Sequence, residues 1–337
     1  MVFMEENDVA MNWLETVFAD SDYPLVIVGM PIYNGASTLP FALDSLLAQT
    51  YKNFQIFISD NASTDETREI CERYQKGDKR IRYHRQEQNM GMLHNFNYVL
   101  QIAESPLFMW AAHDDQWEPD FIKDLVNLLK SNPAAVLSFC AFDNNEPFLG
   151  SKTTGGNLSI ISNRRSPFSR SAVLIIVSHG RQRTNMMYGI MPTALVKSIG
   201  GFSSIFNTEK GIKEYLWYGD NHFLFSLGLR GGFVTSDRIL FHKGYRSDYF
   251  PAKDEYPTLK DILTSCDIYR IQISRSGLPL YQQLILQLCA LINATMLLAR
   301  RGMVITLDRM KLLFFFRRIR RSFASAQYRD DQFSQKR

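Results

Sequence analysis

The sequence predicts an α/β protein built on a mostly parallel sheet with helices on its faces. Short apolar runs rich in bulky residues recur along the first part of the chain, and such runs indicate buried strands. Segments with apolar residues at helical spacing lie between them, and this alternation is typical of parallel sheets. The predicted strands cover residues 25–30, 54–59, 81–84, 107–110 and 135–142, with helices near 39–47, 63–75, 94–103 and 120–130.

Two local details are predicted within these elements. Pro31 lacks the N–H that a sheet ladder requires, so we expect it to end the first strand. Ser63 and Glu66 have the spacing of a capping box, which would start the helix that follows the second strand.

Composition is that of a folded protein. The chain has 337 residues, 45% of them hydrophobic and 21% charged, which is enough for one large or two ordinary domains. Its net charge is +4, but residues 300–321 hold eight basic residues and one acidic residue, so the rest of the chain is negative. A basic tail on an acidic domain argues against a nucleic-acid partner.

Cysteine usage and hydropathy predict a cytoplasmic protein. The four cysteines lie far apart and form no C-x-x-C pair, so neither a disulfide framework nor a zinc cluster is expected. The acidic N-terminus lacks the basic and apolar regions of a signal peptide. The longest apolar run, residues 284–299, includes three polar residues and falls short of the roughly 20 apolar residues that span a bilayer. We therefore expect no membrane-spanning segment.

Two adjacent carboxylates, Asp114 and Asp115, follow the strand predicted at residues 107–110. Open α/β sheets bind ligands beyond the carboxyl ends of their strands. Neighbouring carboxylates repel each other, so a cation nearby would keep both ionised, and oxygen ligands suit Mg²⁺ or Mn²⁺. The alternative is an exposed turn whose acidic residues cap the next helix.

No glycine-rich phosphate loop follows the first strand. A dinucleotide-binding domain would have G-x-G-x-x-G there, but residues 29–35 read G-M-P-I-Y-N-G, and the sequence contains no Walker A pattern. The phosphates of a nucleotide must then be bound in another way, and a metal held by Asp114 and Asp115 would bind them.

A series of motifs resembles family 2 glycosyltransferases of the GT-A fold: Met30–Asn34, Gln49–Phe54, Ser59–Asp65, Asn89–Gly91 and His113–Asp115. The resemblance covers residues 24–142 well and residues 188–248 more weakly. It implies an inverting, hexosyltransferase-type enzyme that uses a nucleotide-diphosphate sugar, with a UDP-sugar as the expected donor. Synthesis of bacterial surface polysaccharide or glycan is the expected setting.

The resemblance also implies which residues bind the nucleotide sugar. Asp60 would accept the imide N–H of uracil, as a carboxylate can; the alternatives are a turn or cap role for Asp60 and sheet-edge packing for Tyr33. The full set implied is Pro31, Tyr33, Asn34, Asp60, Asn61, Asn89, Gly91 and Asp114.

For the metal, the resemblance implies Asp115 and Asp114, with His242 as a third ligand or a phosphate donor. A satisfied core histidine is the alternative for His242. The family often has another acidic residue where this chain has Gln116, which leaves the ligand count open. His113 would orient the carboxylates, and Arg246 would contact phosphate unless it is a solvated surface charge.

Inversion requires a base for the acceptor hydroxyl. Asp220, before an apolar helical segment, is the predicted base, with Glu214 in reserve. An ordinary helix N-cap is the alternative for Asp220.

The predicted organisation is a leader (1–22), a GT-A domain (23–250, with nucleotide-sugar half 23–142 and acceptor half 143–250) and a helical, basic C-terminal extension (251–337). Residues 312–321 mix bulky apolar and cationic side chains, which suits a helix on the anionic inner face of the membrane or, alternatively, a core helix with a charged end. The expected acceptor is a glycan or a lipid-linked molecule. Two other functions stay open, a sugar-1-phosphate nucleotidylyltransferase and a non-catalytic nucleotide-sugar or glycan-binding protein.

Overall fold

A computed structural model describes residues 13–146, 151–154, 166–176, 185–202, 219–244 and 259–300. Five strands form its central sheet, in the order β3-β2-β1-β4-β8. The first four run parallel and β8 runs antiparallel to β4, which confirms the predicted mostly parallel sheet. The strands are β1 (Val26–Ile32), β2 (Phe54–Asp60), β3 (Ile81–Arg85), β4 (Leu107–Trp110) and β8 (Met191–Pro192).

A second sheet has the order β5-β9-β6-β7. Its strands are β5 (Gln116–Trp117), β6 (Ala135–Glu146), β7 (Ser151–Thr154) and β9 (Gly232–Lys243). The backbones of Ser138 and Ile190 exchange two hydrogen bonds of 3.0 Å, which connect β6 to the segment just before β8. β5 pairs with the end of β9, so Gln116 lies opposite His242.

Helices lie between most of the strands. α5 has five buried residues at helical spacing, Phe121, Ile122, Leu125, Val126 and Leu129, and each such side chain contributes about 1.5–3 kcal/mol by leaving water. The helices are α1 (Trp13–Phe18), α2 (Leu39–Leu47), α3 (Thr67–Gly77), α4 (Met92–Gln101), α5 (Phe121–Lys130), α6 (Pro167–Ile176), α7 (Thr193–Ser198), α8 (Gly219–Arg230), α9 (Leu259–Ser274) and α10 (Leu280–Arg300), with a 3₁₀ turn at Asn185–Tyr188.

An aromatic cluster connects the end of β4 to α8. Trp110 is fully buried and packs edge-to-face on Phe223, with ring centroids 5.2 Å apart. Its indole N–H donates to the Phe96 carbonyl at 3.0 Å, which satisfies its one polar group. Since Trp110 precedes the acidic pair and Phe223 follows Asp220, this contact fixes the two acidic segments relative to each other.

Pro31 does not end β1, contrary to the sequence prediction. The strand continues to Ile32, with Pro31 paired to Ser59 and Ile32 to Asp60. The Gly29 carbonyl points toward β4, so Pro31, two residues on, also faces that side. Pairing with β4 stops at Gly29, and the missing N–H of Pro31 therefore costs no ladder bond.

The capping box predicted for Ser63 and Glu66 is also wrong. α3 begins at Thr67, and Glu66 makes no side-chain cap. The Ser63 hydroxyl instead accepts the Asn34 N–H at 2.9 Å, because the loops after β1 and β2 lie side by side and bond to each other.

One compact unit extends to Ala294, past the domain boundary predicted at residue 250. α9 packs on α8, where Gln272 Nε2 donates to Ser226 Oγ at 2.7 Å. The domain limits themselves stay predictions. α10 is long and apolar enough to cross a membrane by length and composition alone, with a mean hydropathy of 1.3 over Leu280–Leu297. The absence of a spanning segment therefore also stays a prediction.

Candidate active site

The nucleotide end of the site lies where β1 and β2 end. Asp60 is fully buried, and its Oδ1 accepts the Ser63 N–H at 2.8 Å while its Oδ2 accepts the Tyr83 hydroxyl at 2.7 Å. Arg85 adds an ion pair at 3.7 Å. These donors hold the carboxylate in one orientation at the edge of the sheet, although it is removed from water.

The other predicted nucleotide residues surround this carboxylate. Asn34 adopts a left-handed backbone (φ 50°), and its Oδ1 accepts the Thr64 N–H at 2.8 Å. Pro31 is buried within β1, whereas Tyr33 is 41% exposed and thus open to a ligand.

Asn61 and Asn89 form a hydrogen-bonded pair of side-chain amides next to Asp60. Asn61 Nδ2 donates to Asn89 Oδ1 at 2.8 Å, and Asn61 Oδ1 accepts the Met90 N–H at 2.9 Å. Asn89 Oδ1 also accepts the Gly91 N–H at 2.9 Å. The predicted nucleotide residues after β2 and β3 are therefore brought together by direct hydrogen bonds.

The acidic pair follows β4, on the other side of β1 from β2. Asp115 is fully buried, and Lys243 Nζ lies 2.9 Å from its Oδ1 and 3.1 Å from its Oδ2. The Gly244 N–H donates to the same Oδ1 at 2.9 Å. Burial raises the pKa of Asp115 to about 7, and these two donors oppose that rise. Asp114 is only partly buried, and no side chain of the described residues forms a hydrogen bond with its carboxylate.

Asp220 is in the first turn of α8 and partly buried. Burial raises its pKa to about 6, and the nearby Lys243 charge lowers it. Tyr188 is close enough for its pKa, raised chiefly by burial, to respond to Lys243, Asp115 and Asp220. Lys243 and Tyr188 are thus near both the acidic pair and the predicted base.

His242 makes two hydrogen bonds to carboxylates. Its Nδ1 lies 2.7 Å from Asp143 Oδ1 and its Nε2 lies 2.8 Å from Glu118 Oε1. Burial lowers the pKa of His242, but these two bonds outweigh it and raise the pKa overall. A doubly protonated ring has no lone pair for a metal.

His113 does not turn its Nδ1 toward the acidic pair. That nitrogen lies 2.9 Å from Thr38 Oγ1, next to α2. Two further candidates, Glu214 and Arg246, lie outside the described residues, as do residues 312–321.

Residues 27–189 match the model of glycosyl transferase family 2. This part, just under half of the chain, is similar to that family. An uncharacterized glycosyltransferase of Rickettsia typhi is 35% identical over 121 residues, which are 36% of this chain and 37% of the relative. The putative teichuronic acid biosynthesis glycosyltransferase TuaG of Bacillus subtilis is 30% identical over 112 residues, 33% of this chain and 44% of the relative. The chain thus spans less than half the length of either relative.

A solved structure shows the same fold. S. aureus TarS 1–349 has a TM-score of 0.61 at 17% identity and covers 84% of this chain and 75% of its own. The same fragment in complex with UDP-GlcNAc has a TM-score of 0.60 at 18% identity and covers 80% of this chain and 72% of its own. Likeness at this identity shows the GT-A fold, which confirms the predicted fold class.

The side chains of this site do not fit the predicted divalent cation as they are arranged. Asp115 is bonded to Lys243, and both nitrogens of His242 are bonded to carboxylates. Within the part of the chain that the structure describes, no group of three or more His, Cys, Asp or Glu could hold a metal ion. Mn²⁺ or Mg²⁺ therefore stays a prediction.

Sequence reasoning missed Lys243 and Tyr83. Lys243 follows the short apolar run Ile239–Phe241 and His242, and nothing in its local pattern distinguishes it from a solvated lysine. Tyr83 lies on β3 next to β2, and its register with Ile58 places it near Asp60. A comparison of strand ends could have found Tyr83, whereas Lys243 required the tertiary fold.

Proposed function

We propose that this protein is an inverting glycosyltransferase that moves a sugar from a nucleotide-diphosphate sugar, a UDP-sugar, to an acceptor hydroxyl. One observation carries the proposal. The carboxylates of Asp220 and of the acidic pair interact electrostatically with the same ammonium group, that of Lys243. A carboxylate base therefore lies close to the end of the sheet where the family binds its donor. The family match and the hydrogen-bonded carboxylate of Asp60 support it.

The reaction is a single displacement at the anomeric carbon. The acceptor oxygen forms a bond to that carbon while the bond to the diphosphate oxygen breaks and leaves its electron pair on the diphosphate. Asp220 takes the proton of the acceptor hydroxyl. With a pKa raised to about 6, Asp220 is mostly ionised at neutral pH and is a stronger base than an ordinary carboxylate.

Asp60 is the proposed contact for the base of the donor. Its two oxygens already accept bonds from Ser63 and Tyr83, and each keeps a further lone pair for an imide N–H. UDP is the nucleotide we favour, since the TarS fragment is known in complex with UDP-GlcNAc.

A screen of nucleotide sugars tests the proposal by measuring the release of the nucleotide, with and without added acceptor glycans. Asp220→Asn should lower turnover by about 10²–10⁴-fold while UDP binding stays unchanged. Asp237→Asn, which alters an exposed carboxylate on β9, is the matched control and should keep full activity. Retained turnover in Asp220→Asn would remove Asp220 from its role, and UDP binding without turnover in the wild type would favour a binding protein.

The proposed setting is the synthesis of bacterial surface polysaccharide on a glycan or a lipid-linked acceptor, at the inner face of the cell membrane. TuaG, by its name, serves teichuronic acid biosynthesis. The four cysteines, all unpaired, suit a reducing compartment.

An exposed face of α10 supports peripheral contact with that membrane. Five large side chains on it are more than half exposed, with four of them spaced along one side of the helix: Leu280, Tyr281, Leu284, Leu288 and Leu291. The sequence that follows is strongly basic, which suits anionic lipids.

Cosedimentation with vesicles tests this contact. The protein should bind vesicles that contain phosphatidylglycerol and not neutral ones, and Leu284→Gln with Leu288→Gln should weaken binding. High salt should release a peripherally bound protein but not one held by a spanning helix. Equal binding to neutral vesicles would contradict an electrostatic attraction to anionic lipids.

A further inference from the structure

The carboxylate that the acidic motif would offer to a metal already has a cation from the chain itself. Lys243 Nζ lies 2.9 and 3.1 Å from the two oxygens of Asp115, and the Gly244 N–H occupies Oδ1 as well. This arrangement is built into the fold because β9 ends directly beside the turn that follows β4. A Cβ on Gly244 would overlap the Asp114 carbonyl oxygen, so only glycine allows this approach.

Lys243 is also held from its other side. Its Nζ lies 5.0 Å from the centroid of the Tyr188 ring, close enough for a cation–π contact. Burial lowers the pKa of Lys243, but the charges of Asp115 and Asp114 and the hydrogen bond to Asp115 outweigh it and raise the pKa overall. The lysine is therefore charged at neutral pH.

Lys243 remains accessible to a ligand. Its side chain is 25% exposed, whereas the side chain of Asp115 is fully buried beneath it. An ammonium group has three N–H donors, and Asp115 accepts two of them. No other described residue accepts a hydrogen bond from Lys243, so the third N–H can donate to a phosphate oxygen. Asp114 and Asp220 are close enough to interact with the same ammonium.

We propose that the ammonium group of Lys243 binds the donor's diphosphate in the place of a divalent metal. This inference rests on the proposed function. The ammonium would stabilise the negative charge that remains on the diphosphate when its bond to the sugar breaks. Asp115 then has a positioning role, because it holds the lysine beneath the phosphates. Donor binding is expected to be independent of Mn²⁺ and Mg²⁺.

Calorimetry with UDP, GDP and uridine tests the inference on the full chain, in EDTA and in Mn²⁺. Wild-type protein should bind UDP equally well in both buffers. Lys243→Met should weaken UDP binding in EDTA by roughly ten- to hundredfold, the effect of a hydrogen bond to a charged group. Uridine has no phosphate, so its affinity should not change. Lys243→Arg keeps the charge and should lose less affinity for UDP.

Two further variants control for folding and for net charge. Lys243→Met leaves the buried Asp115 without its partner, so Lys243→Met with Asp115→Asn removes both charges and should bind UDP as weakly as the single variant. Thermal melts followed by circular dichroism identify the folded proteins. Lys197→Met removes a lysine that bonds to the Gln101 carbonyl on an exposed surface, and it should bind UDP normally.

The outcomes separate the inference from the proposed function. UDP binding that requires Mn²⁺ in the wild type, or unchanged UDP affinity in a folded Lys243 variant in EDTA, would overturn the inference alone. Failure to bind UDP or GDP in either buffer would overturn the proposed donor class and the inference with it.

Discussion

Transfer should depend on pH through the ionisation of Asp220. Burial raises the pKa of this carboxyl to about 6, even though Lys243 opposes the rise. A general base acts only in its ionised form, so kcat/KM should increase with pH, reach half of its maximum near pH 6 and level off in the alkaline range. About nine-tenths of the Asp220 side chains are ionised at pH 7 and about one-tenth at pH 5, which predicts a roughly tenfold fall in kcat/KM between these values.

The assay is the initial rate of UDP release at donor concentrations well below KM, from pH 5 to 9. Asp115 titrates nearby, with a pKa raised to about 7 by burial, so the profile is repeated with Asp115→Asn. In Asp115→Asn, kcat/KM should still fall at low pH, and its maximum at high pH should be lower than in the wild type. In Lys243→Met the fall in kcat/KM should occur at higher pH, because the charge that lowers the Asp220 pKa is gone.

Two results would refute this reasoning. A flat profile between pH 5 and 8 would mean that no group with the environment of Asp220 controls the reaction. If the fall in kcat/KM at low pH disappears in Asp115→Asn, the titrating group is Asp115 and not Asp220. Thermal melts at each pH exclude unfolding as the cause of lost activity.

Three further predictions concern the residues around the site. Tyr83→Phe removes a hydroxyl donor from the buried Asp60 and should lower the free energy of unfolding, measured in urea, by about 1.5–3 kcal/mol; no change would mean that water replaces the hydroxyl. Gly244→Ala should abolish UDP binding, measured by calorimetry, because its Cβ would overlap the Asp114 carbonyl oxygen; normal binding would show that the turn can move aside. The raised pKa of His242 means that its two ion pairs stabilise the fold below about pH 6.5 and are lost as pH rises through the folded-state pKa. The free energy of unfolding in urea should fall from pH 6 to pH 9, and it should fall less in His242→Gln than in the wild type. An equal fall in both proteins would contradict this role.

The sequence was informative wherever local pattern decides structure. Apolar runs revealed β1, β2 and β4 of the central sheet, because a parallel strand covered on both faces is apolar along most of its length. The second sheet was missed as a unit, since it forms from β5, β6, β7 and β9, which are far apart in the chain. Pairing between distant segments leaves no local signal.

The two corrected details have a common cause. Pro31 and Ser63 were interpreted from their own neighbours in sequence, but their roles depend on what lies beside them in space. Pro31 lies in the part of β1 that no longer pairs with β4, and the Ser63 hydroxyl bonds to Asn34 in the loop after β1. Rules for proline in strands and for helix caps are statistical, and a tertiary partner overrides them.

Gln116 illustrates how the acidic motif and β9 depend on each other. The residue is exposed on β5 and lies opposite His242, whose ring is already bonded to two carboxylates. A carboxylate at position 116 would add negative charge beside this cluster, whereas glutamine adds none. One residue beyond His242, β9 supplies Lys243 to Asp115. Next to the acidic pair, this chain thus has a neutral side chain at position 116 and a fixed positive charge on Lys243. Both features keep the site less negative than a third carboxylate would, which reduces its attraction for a divalent cation and increases its attraction for a diphosphate.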